Sequence, residues 1–241
     1  MCGRFNIIDD PLPQLLMEIT GQSGVAPFTF SDGSPVASEY NVAPTQSVPV
    51  MRYGDGAWTL SKMRWWLVPS WSQGPSTKYS MFNAKAETLA KSRAYREPFA
   101  RRRCIVPVTG YYEWKKEAGQ KVPYYIEPMD APGFCFAGLW DTWQDRSTGE
   151  VVDSCTIVTT AATAEMSEVH HRMPVHFTKE QIIDWVSAET EVELLHAMMA
   201  PSLRLRLSIT PVSTIVNNAR NKDERCVEAI AESRVIDPRA G

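Results

Sequence analysis

The spacing of hydrophobic and polar positions predicts a helix near the start of the chain and a β-hairpin after it. Apolar residues recur at helical intervals between Pro11 and Gly21, which favours an amphipathic helix that begins at the proline and ends at the glycine. Paired strands are predicted by the runs VPVMRY and WTLSKMRWWLV, which are joined through residues 54–56.

The middle of the chain predicts further strands, and its flanks predict helices. Five short β-rich runs separated by turn residues cover 104–108, 111–115, 122–127, 134–140 and 154–160. Residues 84–103 are rich in Ala, Arg, Lys and Glu and predict a helix broken near Pro98. Capping-box patterns at Thr178 and Thr190 predict two more helix starts.

These elements together predict an α+β fold. The order of strands and helices, with no internal repeat and no convincing linker, indicates a single domain. Its expected architecture is a curved, mainly antiparallel and barrel-like β-sheet flanked by helices.

Composition supports a globular protein inside the cell. The 241 residues are 44% hydrophobic, enough for a sizeable core and against intrinsic disorder. No apolar run reaches the ~18 residues of a spanning helix, and the start lacks the layout of a secretory signal. We therefore expect a cytoplasmic protein with no membrane partner, at the nucleoid in a bacterium or in the nucleus of a eukaryote. Its five cysteines are expected to be free thiols.

Charge is distributed unevenly along the chain. Residues 52–121 hold fourteen Lys or Arg against five Asp or Glu, a net charge of +9, so the remainder carries −12 within a total of −3. Such asymmetry is a hint of a polyanionic partner. From charge alone, a solvated surface explains it equally well.

The common catalytic motifs are absent. The chain has no phosphate-binding G-x-x-x-x-G-K-[ST], no G-x-S-x-G, no H-E-x-x-H and no C-x-x-C. The adjacent pair His170–His171 would direct its two rings to different sides of a regular element. We expect no metal site and no cofactor.

The remaining candidates are polar residues in apolar surroundings, and each has a structural alternative. Glu113 lies beside Trp114 in a predicted strand and could act as a general acid or base, although periodicity alone favours a solvent-facing residue. Asn83 precedes a predicted helix, where capping is the default role. His170 can carry a proton beside Arg172, but a lone histidine is usually structural.

Cys2 is the chemically distinctive residue. If Met1 is removed, Cys2 carries a free α-amine and a thiol on neighbouring carbons. An α-amine has a reference pKa of ~7.7 to 8.0, so a fraction is neutral at pH 7 and can attack an aldehyde to give an imine. The thiol of the same residue can then close a five-membered thiazolidine ring, with the advantage of an intramolecular step.

The motifs taken together resemble the SRAP family, the SOS-response-associated peptidase or abasic-site-processing proteins. They follow the family order over about residues 2–177 and are MCGRF at 1–5, YNVAPTQ at 40–46, RWWLVPSW at 64–71, NAKAET at 83–88, RRRCIVPVTGYYEW at 101–114, FAGLW at 136–140 and HHRMP at 170–174. We expect a catalytic and DNA-binding domain over 2–215, followed by a tail over 216–241 that has no recognised motif.

The resemblance implies a protein that recognises abasic sites in single-stranded DNA and links itself to them through Cys2 as a thiazolidine. It implies that Asn83 positions the Cys2 end and the sugar, that Glu113 is the acid or base of imine formation and reversal, and that His170 assists opening of the deoxyribose ring. The implied DNA-binding residues are Arg4, Lys85, Arg93 and Arg172 at phosphates, and Pro44, Trp71 and Trp114 beside the lesion. The implied partner is single-stranded DNA, with junctions to duplex DNA as a further possibility, and the implied state is a monomer.

Two positions depart from the family pattern. Lys85 stands where N-A-R-x-E usually has arginine, which keeps the charge but loses the bidentate geometry of a guanidinium. Trp66 stands where W-G-L-[IV]-P usually has glycine, so a bulky ring must repack locally or extend a stacking surface.

Two other functions compete with covalent cross-linking. A peptidase with an amino-terminal nucleophile, limited to self-processing of Met1, would be distinguished by turnover of added peptides. A non-covalent single-strand binder would depend steeply on salt, show no preference for abasic DNA and be indifferent to substitution of Cys2.

Overall fold

A computed structural model describes residues 2–8, 10–21 and 29–238. Its strands are β1 (Phe5–Ile7), β2 (Glu39–Val42), β3 (Ser47–Gly54), β4 (Ala57–Trp65), β5 (Asn83–Lys85), β6 (Arg103–Val108), β7 (Gly110–Glu117), β8 (Gln120–Pro128), β9 (Phe134–Gln144), β10 (Val151–Ala161), β11 (Arg172–Pro174), β12 (His176–Phe177), β13 (Leu207–Pro211) and β14 (Arg234–Ile236). The α-helices are α1 (Pro11–Thr20), α2 (Arg96–Arg101), α3 (Ala164–Ser167), α4 (Lys179–Val186) and α5 (Val192–Met198). Short 3-10 helices cover Ala86–Lys91, Thr214–Asn217 and Glu224–Val227.

Five strands close into a barrel. Neighbours follow the order β10, β4, β3, β6 and β9, and β9 pairs with β10 again. The β10–β4 pair is parallel and the other four are antiparallel. The far half of β10 extends past the barrel, with β5 parallel on one edge and β11 antiparallel on the other. This extension brings Asn83 and Arg172 to one end of the barrel.

The second sheet carries the start of the chain in its interior. Its order is β14, β13, β8, β7, β1 and β2, and every pair is antiparallel. Phe5 of β1 pairs with Val42 on one side and Tyr111 on the other. A Cβ on Gly110 would lie 2.2 Å from the Tyr125 hydroxyl, so only glycine fits where β7 meets β1.

The expected fold is confirmed: a single α+β domain built on a curved, mainly antiparallel, barrel-like sheet with helices around it. The predicted amphipathic helix is α1, whose buried residues Leu12, Leu15, Leu16 and Ile19 form its core face. The predicted hairpin is β3–β4, joined at Asp55 and Gly56 with φ of 51° and 76°, as a tight type I′ turn requires. None of the described helices is long and apolar enough to cross a membrane.

Two helix predictions were wrong in detail. Residues 84–103 form the end of β5, a 3-10 helix and α2, and the interruption falls at Ser92–Tyr95. Pro98 lies inside α2, in the first turn, where a missing backbone N–H costs no hydrogen bond. The capping box at Thr178 is confirmed at the start of α4, whereas α5 follows Glu191 and has no side-chain cap.

The segment after β13 folds back over β7 and β8. We call residues 214–227 the C-terminal strap. Val216 and Cys226 of the strap pack with Tyr112 and Tyr125 in a small apolar cluster. The fully buried Asn41 holds the strap, because its Nδ2 donates to the carbonyls of residues 216, 218 and 221 at 3.2, 3.1 and 2.8 Å.

Replacing Asn41 with alanine is expected to lower the free energy of unfolding by about 3 kcal/mol, because several buried carbonyls lose their donor. Asn218→Ala is the matched control: this exposed residue lends Asn41 only its backbone carbonyl. We expect the control to change stability by less than about 0.5 kcal/mol. Urea unfolding measures both variants, and equal losses would contradict the assigned role of the Asn41 side chain.

Candidate active site

Cys2 is fully buried and lies three residues before the start of β1. Its Sγ is 3.9 Å from the carbonyl oxygen of Arg4. Burial raises the pKa of the Cys2 thiol, and the negative charge of Glu113 raises it further. The thiol is therefore protonated at neutral pH. The other four cysteines are also buried free thiols.

Asn83 ties Cys2 to the barrel. It opens β5, and its Nδ2 donates a hydrogen bond of 2.6 Å to the carbonyl oxygen of Cys2. Its Oδ1 is buried and has no hydrogen-bond partner among the described residues. The capping role expected from the residue alone is wrong, because the following 3-10 helix begins after Lys85 with no side-chain cap. The amide is instead free to offer an acceptor to a ligand.

Glu113 and His170 lie beside each other. Glu113 is buried in β7, so the solvent-facing alternative is wrong. Its Oε1 accepts from the backbone N–H of Trp114 at 3.2 Å, and its Oε2 lies 3.9 Å from His170 Nδ1. His170 Nδ1 lies 3.0 Å from the backbone nitrogen of Arg172 and 3.2 Å from its carbonyl oxygen. In the tautomer with the proton on Nδ1, the ring donates to that carbonyl and Nε2 is left as the basic nitrogen. Burial lowers the pKa of His170 and outweighs the opposite effect of Glu113, which favours the neutral imidazole.

Arg4 is fixed by the C-terminal strap. Its Nη1 donates to Asn41 Oδ1 and to the carbonyl of Val216, both at 2.7 Å. The guanidinium carbon lies 5.7 Å from the ring centre of Trp114, whose Nε1 donates to Asn217 Oδ1 at 2.7 Å. Burial lowers the pKa of Arg4. The strap therefore positions two predicted DNA-binding residues next to the Cys2 end.

Arg172 is held by a carboxylate. Its Nη1 and Nη2 donate to the two oxygens of Glu87 at 2.6 and 3.0 Å, and Nη2 also donates to the carbonyl of Thr159 at 2.6 Å. Glu87 itself is 51% exposed, and the Arg172 interaction lowers its pKa. Lys85, at the end of β5, is exposed and pairs along the backbone with the same Thr159.

Trp71 and Arg93 line an open cavity of about 670 Å³. The guanidinium carbon of Arg93 lies 4.0 Å from the centre of the Trp71 ring, and that ring is 52% exposed. Tyr79, 68% exposed, lines the same cavity. An exposed indole and phenol beside a cation give a surface on which flat rings can stack.

Pro44 and the two adjacent tryptophans of the RWWLVPSW motif have different surroundings. Pro44 is half-buried in the turn before β3, next to Thr45 with φ of 80°. Trp65 is core and donates from Nε1 to the carbonyl of Phe82 at 2.8 Å. Trp66 is half-buried, with its ring 5.4 Å from that of Phe82, so the bulky side chain repacks locally.

The structure thus joins residues that are far apart in sequence. Cys2, Asn83, Glu113 and His170 meet where β1, β5, β7 and the turn after α3 converge. Sequence reasoning missed Asn41, although it lies in the quoted YNVAPTQ motif, and missed Glu87 within NAKAET. Their motifs were the available signal, but the partners that give them a role lie at residues 4, 172 and 216–221.

Comparisons with known proteins identify the family of the chain. A family model described as SOS response associated peptidase (SRAP) matches residues 1–219. Abasic site processing protein YoqW of Bacillus subtilis (strain 168) is 32% identical over 234 residues, covering 95% of this chain and 100% of that protein. Abasic site processing protein HMCES of Xenopus tropicalis is 28% identical, covering 83% of this chain and 68% of that protein.

A solved structure of a Bacteroides thetaiotaomicron protein matches with a TM-score of 0.80 at 25% identity and covers 95% of this chain and 100% of its own. One assignment follows from the strand order, from the residues around Cys2 and from a family model that matches most of the sequence. The chain belongs to the SOS response associated peptidase (SRAP) family.

Proposed function

We propose that this protein recognises abasic sites in single-stranded DNA and links itself to them covalently through Cys2 after Met1 is removed. One observation carries the proposal: Cys2 is held by Asn83 at 2.6 Å within reach of the charge of Glu113, which in turn lies beside His170. The names of the relatives, abasic site processing proteins, support the choice of substrate. Met1 lies outside the described residues, and its removal is part of the proposal.

The chemistry begins at the amine. A ring-opened abasic deoxyribose carries an aldehyde at C1′, and the neutral α-amine of Cys2 adds to it and expels water to form an imine. The thiol S–H then adds across the C=N bond: sulfur bonds to C1′ and the proton goes to nitrogen. The net reaction releases one water and leaves a five-membered thiazolidine. Because its pKa is raised, the thiol is protonated, so the amine is the first nucleophile.

Each neighbouring side chain has a role in this reaction. Asn83 fixes the Cys2 carbonyl, which limits the positions of the amine and the thiol, and its unsatisfied Oδ1 can accept from a sugar hydroxyl. Glu113 transfers the protons that move when water is lost to form the imine and when that step is reversed. His170, with a lowered pKa, is a neutral base that can take the C1′ hydroxyl proton as the bond from C1′ to the ring oxygen breaks, and the ring oxygen takes up a proton from water.

The DNA is proposed to bind across the surrounding residues. Trp71 provides a stacking surface and Arg93 a positive charge in the cavity that they line, and Lys85 adds an exposed cation at the end of β5. Arg172 can hold a phosphate by exchanging it for the exposed carboxylate of Glu87. Arg4, Pro44 and Trp114 form the wall nearest to Cys2 in this proposal. The protein is proposed to act as a monomer.

Cys2→Ala is expected to abolish the stable adduct with single-stranded DNA that carries one abasic site, because no ring can close. The variant keeps an α-amine, so borohydride reduction should still trap an imine. Denaturing electrophoresis with and without borohydride measures both species. Cys135→Ala, which removes another buried thiol, is the control and should cross-link like the wild type.

A wild-type protein without any adduct, or an undiminished adduct in Cys2→Ala without reductant, would contradict the proposed nucleophile. A variant with an uncleavable amino-terminal extension separates the two groups, because it keeps the thiol and blocks the amine. Turnover of added peptides would instead favour the peptidase, and equal affinity for intact and abasic DNA would favour the non-covalent binder.

Glu113→Gln is expected to slow adduct formation and reversal by roughly 10²-fold or more, because the isosteric amide cannot transfer a proton. Glu117→Gln removes a carboxylate from the same strand, one that pairs with Lys115, and should leave the rate within about twofold. Rates come from quenched time courses on denaturing gels. Equal rates for Glu113→Gln and the wild type would exclude a proton-transfer role.

His170→Ala is expected to slow cross-linking at every pH from about 8 down to 6.5. Burial lowers the pKa of His170 below its ordinary ~6.5, so the neutral imidazole is the main form over this range. The measurement is the ratio of wild-type to variant rates at each pH, with His171→Ala as the neighbouring control. A ratio that falls to one by pH 6.5 would contradict a neutral His170 base.

A further inference from the structure

A second cavity opens from the catalytic pair toward the β7–β8 hairpin, and of the predicted DNA contacts Trp114 lines it. It has a volume of about 640 Å³ and shares no lining residue with the cavity at Trp71. Glu113 and His170 line it, and so do Trp114 and three lysines of the β7–β8 hairpin, Lys115, Lys116 and Lys121. The catalytic carboxylate and a row of cations therefore border one continuous space.

The positions of two of these lysines destabilise the fold. Lys116 and Lys121 are both exposed and lie directly opposite each other in the antiparallel β7–β8 ladder. Like charges in such a cross-strand pair repel and destabilise the hairpin. The turn beyond them is also strained at one position, because Ala118 has φ of 46°. An unfavourable pair at the mouth of a site suggests a ligand that neutralises it.

The acidic residues around this cavity already have partners. Glu168 forms an ion pair with Arg234, and Glu117 accepts from Lys115 at 3.0 Å. Within the described part of the chain, neither Lys116 nor Lys121 makes an ion pair with a carboxylate. Their charges are available to an external anion.

We propose that the β7–β8 hairpin binds the sugar-phosphate backbone of single-stranded DNA on one side of the abasic residue, with Lys116 and Lys121 each at a phosphate. The inference rests on the proposed function, since it takes the strand bound at Cys2 as the ligand. A strand that passes this site has two exits, the Trp71 cavity and the hairpin cavity. In this proposal each exit binds one arm of the strand, which is the DNA on one side of the abasic residue.

Equilibrium binding tests the hairpin without the covalent step when the abasic residue of the DNA is a tetrahydrofuran analogue, which has no aldehyde to react with an amine or a thiol. With such DNA in this and the following experiments, and in a Cys2→Ala background, fluorescence anisotropy measures affinity for single-stranded DNA across a salt series. Lys116→Ala with Lys121→Ala should reduce the magnitude of the log K against log salt slope by ~1.4, or ~0.7 for each lost phosphate. If the variants converge at 1 M salt, the affinity at 0.1 M falls roughly 25-fold.

Matched variants distinguish the loss of phosphate contacts at the hairpin from a general loss of positive charge. Lys62→Ala with Lys179→Ala removes two exposed lysines that line neither cavity and should keep the wild-type slope. Lys116→Arg with Lys121→Arg should restore binding. The double alanine variant should also melt no lower than its background, because the repulsive pair is gone.

Oligonucleotides with the abasic residue at the 5′ end or at the 3′ end test the two arms. The hairpin variant should lose affinity for one of these DNAs only, and Trp71→Ala for the other. An unchanged slope, an equal loss in the Lys62 and Lys179 control, or an equal loss on both DNAs would overturn the hairpin proposal. None of these outcomes depends on adduct formation, so failure of the covalent chemistry is seen separately in the protein with Cys2 intact.

Discussion

The hydrogen bond from Asn83 to the carbonyl of Cys2 joins the two sheets of this protein at the end of the chain that we propose to be reactive. Asn83 belongs to a strand on the extension of the barrel, whereas Cys2 leads into a strand inside the second sheet. A chain terminus normally frays, because few contacts offset the entropy of its free movement. Here the backbone is held within two residues of the start, so both reactive groups of an amino-terminal cysteine would occupy a defined place.

Burial and charge then determine the protonation states of the groups around Cys2. The thiol of Cys2 and the imidazole of His170 both lose hydration, so the pKa of the first rises and that of the second falls. Both shifts favour the neutral form of each group. A neutral thiol and a neutral imidazole beside the Glu113 carboxylate are compatible with the proposed condensation with an aldehyde, in which protons move at each step.

The sequence predicted the periodic parts of this fold well. Apolar spacing identified α1, and alternation identified the strands on either side of residues 54–56 and in the central run. It failed at the start of residues 84–103, where composition favoured a helix but the pairing of Asn83–Lys85 with β10 makes a strand. That pairing depends on residues more than 70 positions later in the chain, so no local pattern could reveal it. The same distance hides the site: Glu113 alternates as a surface residue would, and only the packing of Cys2 and His170 against it makes it buried.

Burial of Cys2 also has a consequence for the order of events during synthesis. The partner of its carbonyl lies 81 positions further along the chain, and the strap that holds Arg4 lies more than 200 positions away. At ~5 to 20 residues per second, a ribosome needs about 4 to 16 seconds to add the first of these segments. During that interval the nascent end is still open to processing enzymes. The proposed loss of Met1 therefore belongs to this early window, before tertiary contacts close over the cysteine.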